Sequence, residues 1–110
     1  MSLWPFGKSK KTDEKKFSEL SNTAVFTTKF IINEGKDITY VMHDAEDGEW
    51  QFLSDDTFDD YRTVIMIVGL WQIIERDKTI LDLADLPAGY YAVRDKKGDD
   101  WVINKTEGDK

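Results

Sequence analysis

Six short runs of β-branched and aromatic residues recur along this chain, and the turn signals between them limit the fold more than any other feature. The runs are "AVFTTKFII", "ITYVMH", "EWQFL", "VIMIV", "YYAVRD" and "WVINK". Such residues pack well on a pleated surface, so each run is expected to be a strand. "NEGKD" separates the first two as a short turn. Asp47-Gly48 lies before the third and supplies the positive φ of a tight hairpin, and "KKGDD" joins the last two as a hairpin. Period two puts Trp50 and Phe52 on one face of their strand. "VIMIV" is a continuous apolar run of the kind that suits a strand covered on both faces, and Gly69 ends it.

Between the strands the apolar spacing changes to three and four. "DEKKFSELSN" is expected to be a short helix with Phe17 and Leu20 on one face, and "DDTFDDYRT" a helical turn capped by Asp55 or Asp56. "LWQIIERD" predicts a helix ending near Asp77. "TILDLADLPAG" predicts a capped helical turn that stops before Pro87. The expected fold is α+β, a mainly antiparallel sheet of about six strands with short helices inserted. One domain over residues 17–105 follows from the length of 110 residues, with a basic flexible tail at 1–16 and a loose tail at 106–110.

Composition narrows the function classes. The chain has no cysteine, which removes disulfides, thiolate metal sites and a cysteine nucleophile. Its apolar runs fall short of the roughly 20 residues that span a bilayer. The start lacks the apolar core of a secretory signal, so a soluble, cytoplasmic product is expected. Charge is unevenly spread: residues 1–16 carry five lysines against two acids, whereas residues 17–110 carry ten basic and twenty acidic residues. An acidic body disfavours nucleic acid and suits a basic partner protein. In the tail, Trp4 and Phe6 beside lysines allow a weak membrane-surface contact, the alternative being a frayed terminus.

The stretch "HDAEDGEWQFLSDD" concentrates acids beside two large aromatic residues. It fails as a calcium loop, because from Asp44 the glycine falls at the fifth position and no glutamate stands at the twelfth. His43 is the only histidine, which excludes a multi-histidine metal site. Ser54 has no nucleophile elbow around it, and neither a phosphate-binding nor a dinucleotide glycine pattern occurs. No catalytic residue, metal or cofactor is therefore assigned. Asp44, Glu46, Asp47, Glu49, Asp55, Asp56, Asp59 and Asp60 are the candidate contact surface for a basic partner, with Tyr61 as an aromatic anchor. Trp50, Phe52 and Trp101 are expected in the core, and Arg94 as a clasp to a carboxylate of the acidic segment. Trp71 is among the aromatic residues least suited to burial.

From Val25 to Ile103 the chain resembles a bacterial family first described as a domain of unknown function and later grouped as the thirty-third immunity family of polymorphic toxin systems. The matching positions are Asp47, Gly48, Trp50, Phe52, Leu53, Ser54 and Asp55, followed by Leu86, Pro87, Gly89, Arg94, Asp95 and Trp101. Where family members often have "SGW" this chain has "GEW", and Asp55 replaces a glycine. The resemblance implies a non-enzymatic protein that neutralises a toxin domain. The alternative is a cytoplasmic accessory domain that binds a small ligand or a membrane-associated partner.

Overall fold

A computed structural model describes residues 15–106. The expectations for residues 1–14 and 107–110, including the membrane contact of Trp4 and Phe6, lie outside the described residues. The fold is α+β. Its strands are β1 (Ala24–Thr28), β2 (Tyr40–His43), β3 (Trp50–Leu53), β4 (Ile65–Gly69), β5 (Tyr90–Val93) and β6 (Val102–Lys105). They form one six-stranded sheet in the order β4-β1-β3-β2-β5-β6. Every pairing is antiparallel except β1 with β3, which is parallel. The buried Thr27 hydroxyl donates to the Phe52 carbonyl at 2.8 Å across that parallel pair. Helix α1 (Lys29–Glu34) follows β1, and α2 (Leu70–Arg76) follows β4. Short 3-10 segments occupy Tyr61–Thr63 and Lys78–Leu83.

Register and alternation divide the sheet into two unlike faces. One presents Val25, Val41, Trp50, Phe52, Val68 and Ala92, all buried, and packs on Ile31 of α1, Leu70 and Ile73 of α2, and Ile80, Leu83 and Leu86 beyond it. Burying each large side chain of this set contributes about 2 kcal/mol, which makes this layer the main source of stability. The other face carries Phe26, Thr28, Tyr40, Met42, Gln51, Leu53, Ile65, Ile67, Tyr91 and Val93. Of these only Thr28 is buried, so the second face is open.

Several local expectations are corrected. "AVFTTKFII" is not one strand: it leaves the sheet after Thr28 and continues as α1. Gly35 explains the helix, since its left-handed conformation (φ 72°) lets its own N–H and that of Lys36 close onto the carbonyls of Ile31 and Phe30. "VIMIV" is not covered on both faces. It forms an edge strand, and Ile67 is 64% exposed. From residue 15 to Thr23 the chain is irregular instead of helical: Phe17 packs edge-on against Trp50 with centroids 5.0 Å apart, and Leu20 is exposed. The helical turn at Tyr61–Thr63 is capped by Asp60, whose carboxylate accepts the Arg62 N–H, and not by Asp55 or Asp56. The α2 helix and the 3-10 segment before Pro87 form as the spacing predicts. Both hairpins form too, with Gly48 at φ 73°, but through longer loops than a tight turn: residues 44–49 join β2 to β3 and residues 94–101 join β5 to β6.

Candidate functional site

The acidic residues assigned to one contact surface stand at two separate ends of the β2–β3 hairpin. His43 faces Trp50 at one end of the ladder and Tyr40 faces Leu53 at the other. Asp44, Glu46, Asp47 and Glu49 form the turn beyond the first end, whereas Asp55, Asp56, Asp59, Asp60 and Tyr61 follow the second, so roughly 10 Å of strand lies between them. Within the turn, Asp44 accepts the Glu46 N–H at 2.9 Å and Asp47 accepts the Glu49 N–H at 3.1 Å. These carboxylates shape the loop as well as charge it.

At the second end, acids and aromatic rings meet. Phe58, 40% exposed, stacks on Phe30 (6.4 Å between centroids) and lies 5.8 Å from Tyr61. Burial raises the Tyr61 hydroxyl above its ordinary pKa, and that oxygen has no hydrogen-bond partner among the described residues. Asp56 accepts from the Ser54 hydroxyl at 2.7 Å and from the Lys36 ammonium at 3.2 Å. The Ser54 hydroxyl, and then Lys36, hold its carboxyl below the usual range. Asp60 is likewise lowered, first by the Arg62 side chain that binds it. Asp55 and Asp59 are exposed, and Asp55 lies 4.0 Å from Lys36.

Beside this end, the open face of the sheet holds a cavity of about 300 Å³. Its walls include the rings of Phe30, Tyr40 and Phe58, with Met42 and Leu53 as aliphatic surface and Thr28, Gln51, Ser54 and Asp56 as polar groups. Burial raises the Tyr40 hydroxyl above its ordinary pKa, with a smaller contribution from Tyr91, on which its ring stacks at 5.6 Å. The Thr28 hydroxyl is buried with no partner among the described residues, and Thr28 makes no side-chain cap to α1. Sequence reasoning missed this cavity. The alternation of Tyr40 and Met42 in "ITYVMH" marks a second apolar face, and that was its one signal.

The motif residues sit mainly in structure. Trp50 and Phe52 are core, and Trp50 donates its indole N–H to Glu19 at 2.9 Å. His43 stacks on Trp50 at 4.0 Å, and its Nδ1 lies 2.7 Å from the Leu86 carbonyl oxygen. Leu86, Pro87 and Gly89 shape the entry to β5: Gly89 has φ 91°, donates to the His43 carbonyl and accepts from the Thr106 N–H. Arg94 is a clasp, but its partner is Asp77 and not the acidic segment. The guanidinium binds Asp77 at 2.7 Å, Thr79 at 2.8 Å and the Ile38 carbonyl at 3.0 Å, and it lies 4.0 Å over the partly buried Trp101 ring. Asp77 is reachable because the 3-10 segment returns to the end of β5, a contact 17 residues apart in sequence. Asp95 is exposed. Trp71 is 47% exposed on α2.

Among the described residues no three carboxylate or histidine groups converge as a metal site. No helix is long and apolar enough to cross a membrane. Comparison with models of known families, with curated proteins and with solved structures returns no match.

Proposed function

We propose that this chain is a non-enzymatic binding protein that occludes a basic partner protein, as a toxin-neutralising immunity protein would. The observation that carries the proposal is the second end of the β2–β3 hairpin, where Asp55, Asp56 and Asp59 stand in the same short segment as the paired, partly exposed rings of Phe58 and Tyr61. Charge steers encounter, and a desolvated aromatic anchor supplies affinity, so this combination suits tight association without turnover. Two other observations agree with it. The buried ionic pair Arg94–Asp77 is saturated by structural bonds, and the His43 ring is held between the Leu86 carbonyl and Trp50.

The test uses the purified chain to retain proteins from its own organism at low and then moderate salt. Identification of the retained protein is followed by growth of cells expressing it with and without the chain. The expected result is one basic protein, released by salt, whose toxicity the chain abolishes. Retention of an acidic or neutral partner, or toxicity that persists, would overturn the proposal. The cavity on the open face favours the alternative of a small-ligand domain, and binding of a metabolite without any retained protein would establish it.

A further inference from the structure

We propose that the cavity on the open face of the sheet receives one lysine or arginine side chain of the partner protein. This rests on the proposed function, and it adds the place and chemistry by which that partner is held.

The walls suit such a side chain along its whole length. Met42 and Leu53 offer aliphatic surface to a methylene stem, and the aromatic residues Phe30, Tyr40 and Phe58 on the same lining suit its cationic head. Asp56 lies on the lining, its side chain 22% exposed, so an incoming cation meets an acid at the edge of an apolar hollow. An ammonium group of this same chain already shows the match: Lys36 binds Asp56 at 3.2 Å. That lysine is 43% exposed, and such surface pairs are weak, so a partner cation can replace it or share the acid at small cost.

An independent observation comes from Thr28. It is 1% exposed, it lines the cavity, and its hydroxyl is unpartnered among the described residues. A buried hydroxyl without a partner is costly, and an N–H of the guest that donates to it would remove that cost. The excess of acidic over basic residues in 17–110 completes the complementarity by drawing cations toward this surface. The volume, near the small end of ligand sites, fits one long side chain better than a nucleotide or cofactor.

The test needs no partner. The 110-residue chain, labelled with nitrogen-15, is titrated at low salt with Nα-acetyl-arginine methylamide, Nα-acetyl-lysine methylamide and the uncharged Nα-acetyl-norleucine methylamide. The expected result is saturable movement of the amide signals of Thr28, Tyr40, Met42 and Asp56, with Kd about 1 mM for the cationic probes. Norleucine and the Asp56→Asn variant should each bind about tenfold more weakly. Thr28→Val, which keeps the shape of the side chain, should bind several-fold more weakly with a folded spectrum. Norleucine binding as tightly as the cations would overturn the proposal, as would movement confined to the Asp44–Glu49 turn or no movement at all. These results would do so even where a basic partner has been captured, so failure of the cavity is separable from failure of the binding function. If the probes bind but Phe58→Ala leaves the affinity of the captured partner unchanged, the partner is not seated there.

Discussion

Arg94 forms the buried ion pair of the described residues, with Asp77. Its guanidinium is fully enclosed, and Asp77, Thr79 and the Ile38 carbonyl use its donors while Trp101 covers its face. Removing one partner leaves a buried charge uncompensated, so Asp77→Ala should cost about 3 kcal/mol in urea unfolding. The double variant Arg94→Met with Asp77→Leu should cost less than that single change, because it removes both charges together. Thr28 presents the opposite case. Its buried hydroxyl has no partner among the described residues, so Thr28→Val should raise stability by about 1 kcal/mol. A calorimetric Tm that falls in this variant would show that the hydroxyl is satisfied after all.

Glycines in the left-handed region and carboxylates at loop ends set how the elements join. At Gly48 a Cβ would meet no atom within 4 Å, so Gly48→Ala should lose only the conformational cost of φ 73°, about 1 kcal/mol, read as a lower urea midpoint. The loop after β3 is tied to the end of α1 by Lys36 and Asp56. The folded Asp56 carboxyl titrates below its ordinary 3.8, mainly through the Ser54 hydroxyl. A depressed folded value means that its contribution is present above the unfolded pKa and lost as pH falls through the folded one. Stability should therefore decline below about pH 4, and Asp56→Asn should make that decline shallower in thermal melts between about pH 5 and 2.

For the whole molecule, the separation of the two acidic ends makes the steering surface a divisible quantity. Neutralising Asp55, Asp56 and Asp59 should slow association with a basic partner by about tenfold at low salt, with a smaller loss when Asp44, Glu46, Asp47 and Glu49 are neutralised instead. Stopped-flow association at two ionic strengths measures both. Equal losses would mean that overall charge, and not the aromatic second end, governs encounter. The uncovered sheet face beside that end carries apolar side chains toward solvent, which adds the short-range component that charge alone lacks.

The sequence by itself determined what depends on near neighbours. Alternation placed Trp50 and Phe52 on one buried face, Asp47-Gly48 made the hairpin, and spacing of three and four made α2, because these choices follow from local sterics and period. Gly35 was visible as a turn but not as a helix end, since a run rich in Phe and Ile suits strand and helix equally until its packing partner is known. Strand order, the parallel β1–β3 pair and the edge position of β4 were decided only by the tertiary structure. The candidate site divides in the same way. The acids could be counted, but they fall at opposite ends of a four-residue strand, and Arg94 found Asp77 in place of the acid run. The cavity joins residues from β1 to the loop before Tyr61 on a face that no single segment defines. Contacts distant in sequence are set by how whole surfaces bury together, and that balance is not encoded within any one stretch of chain.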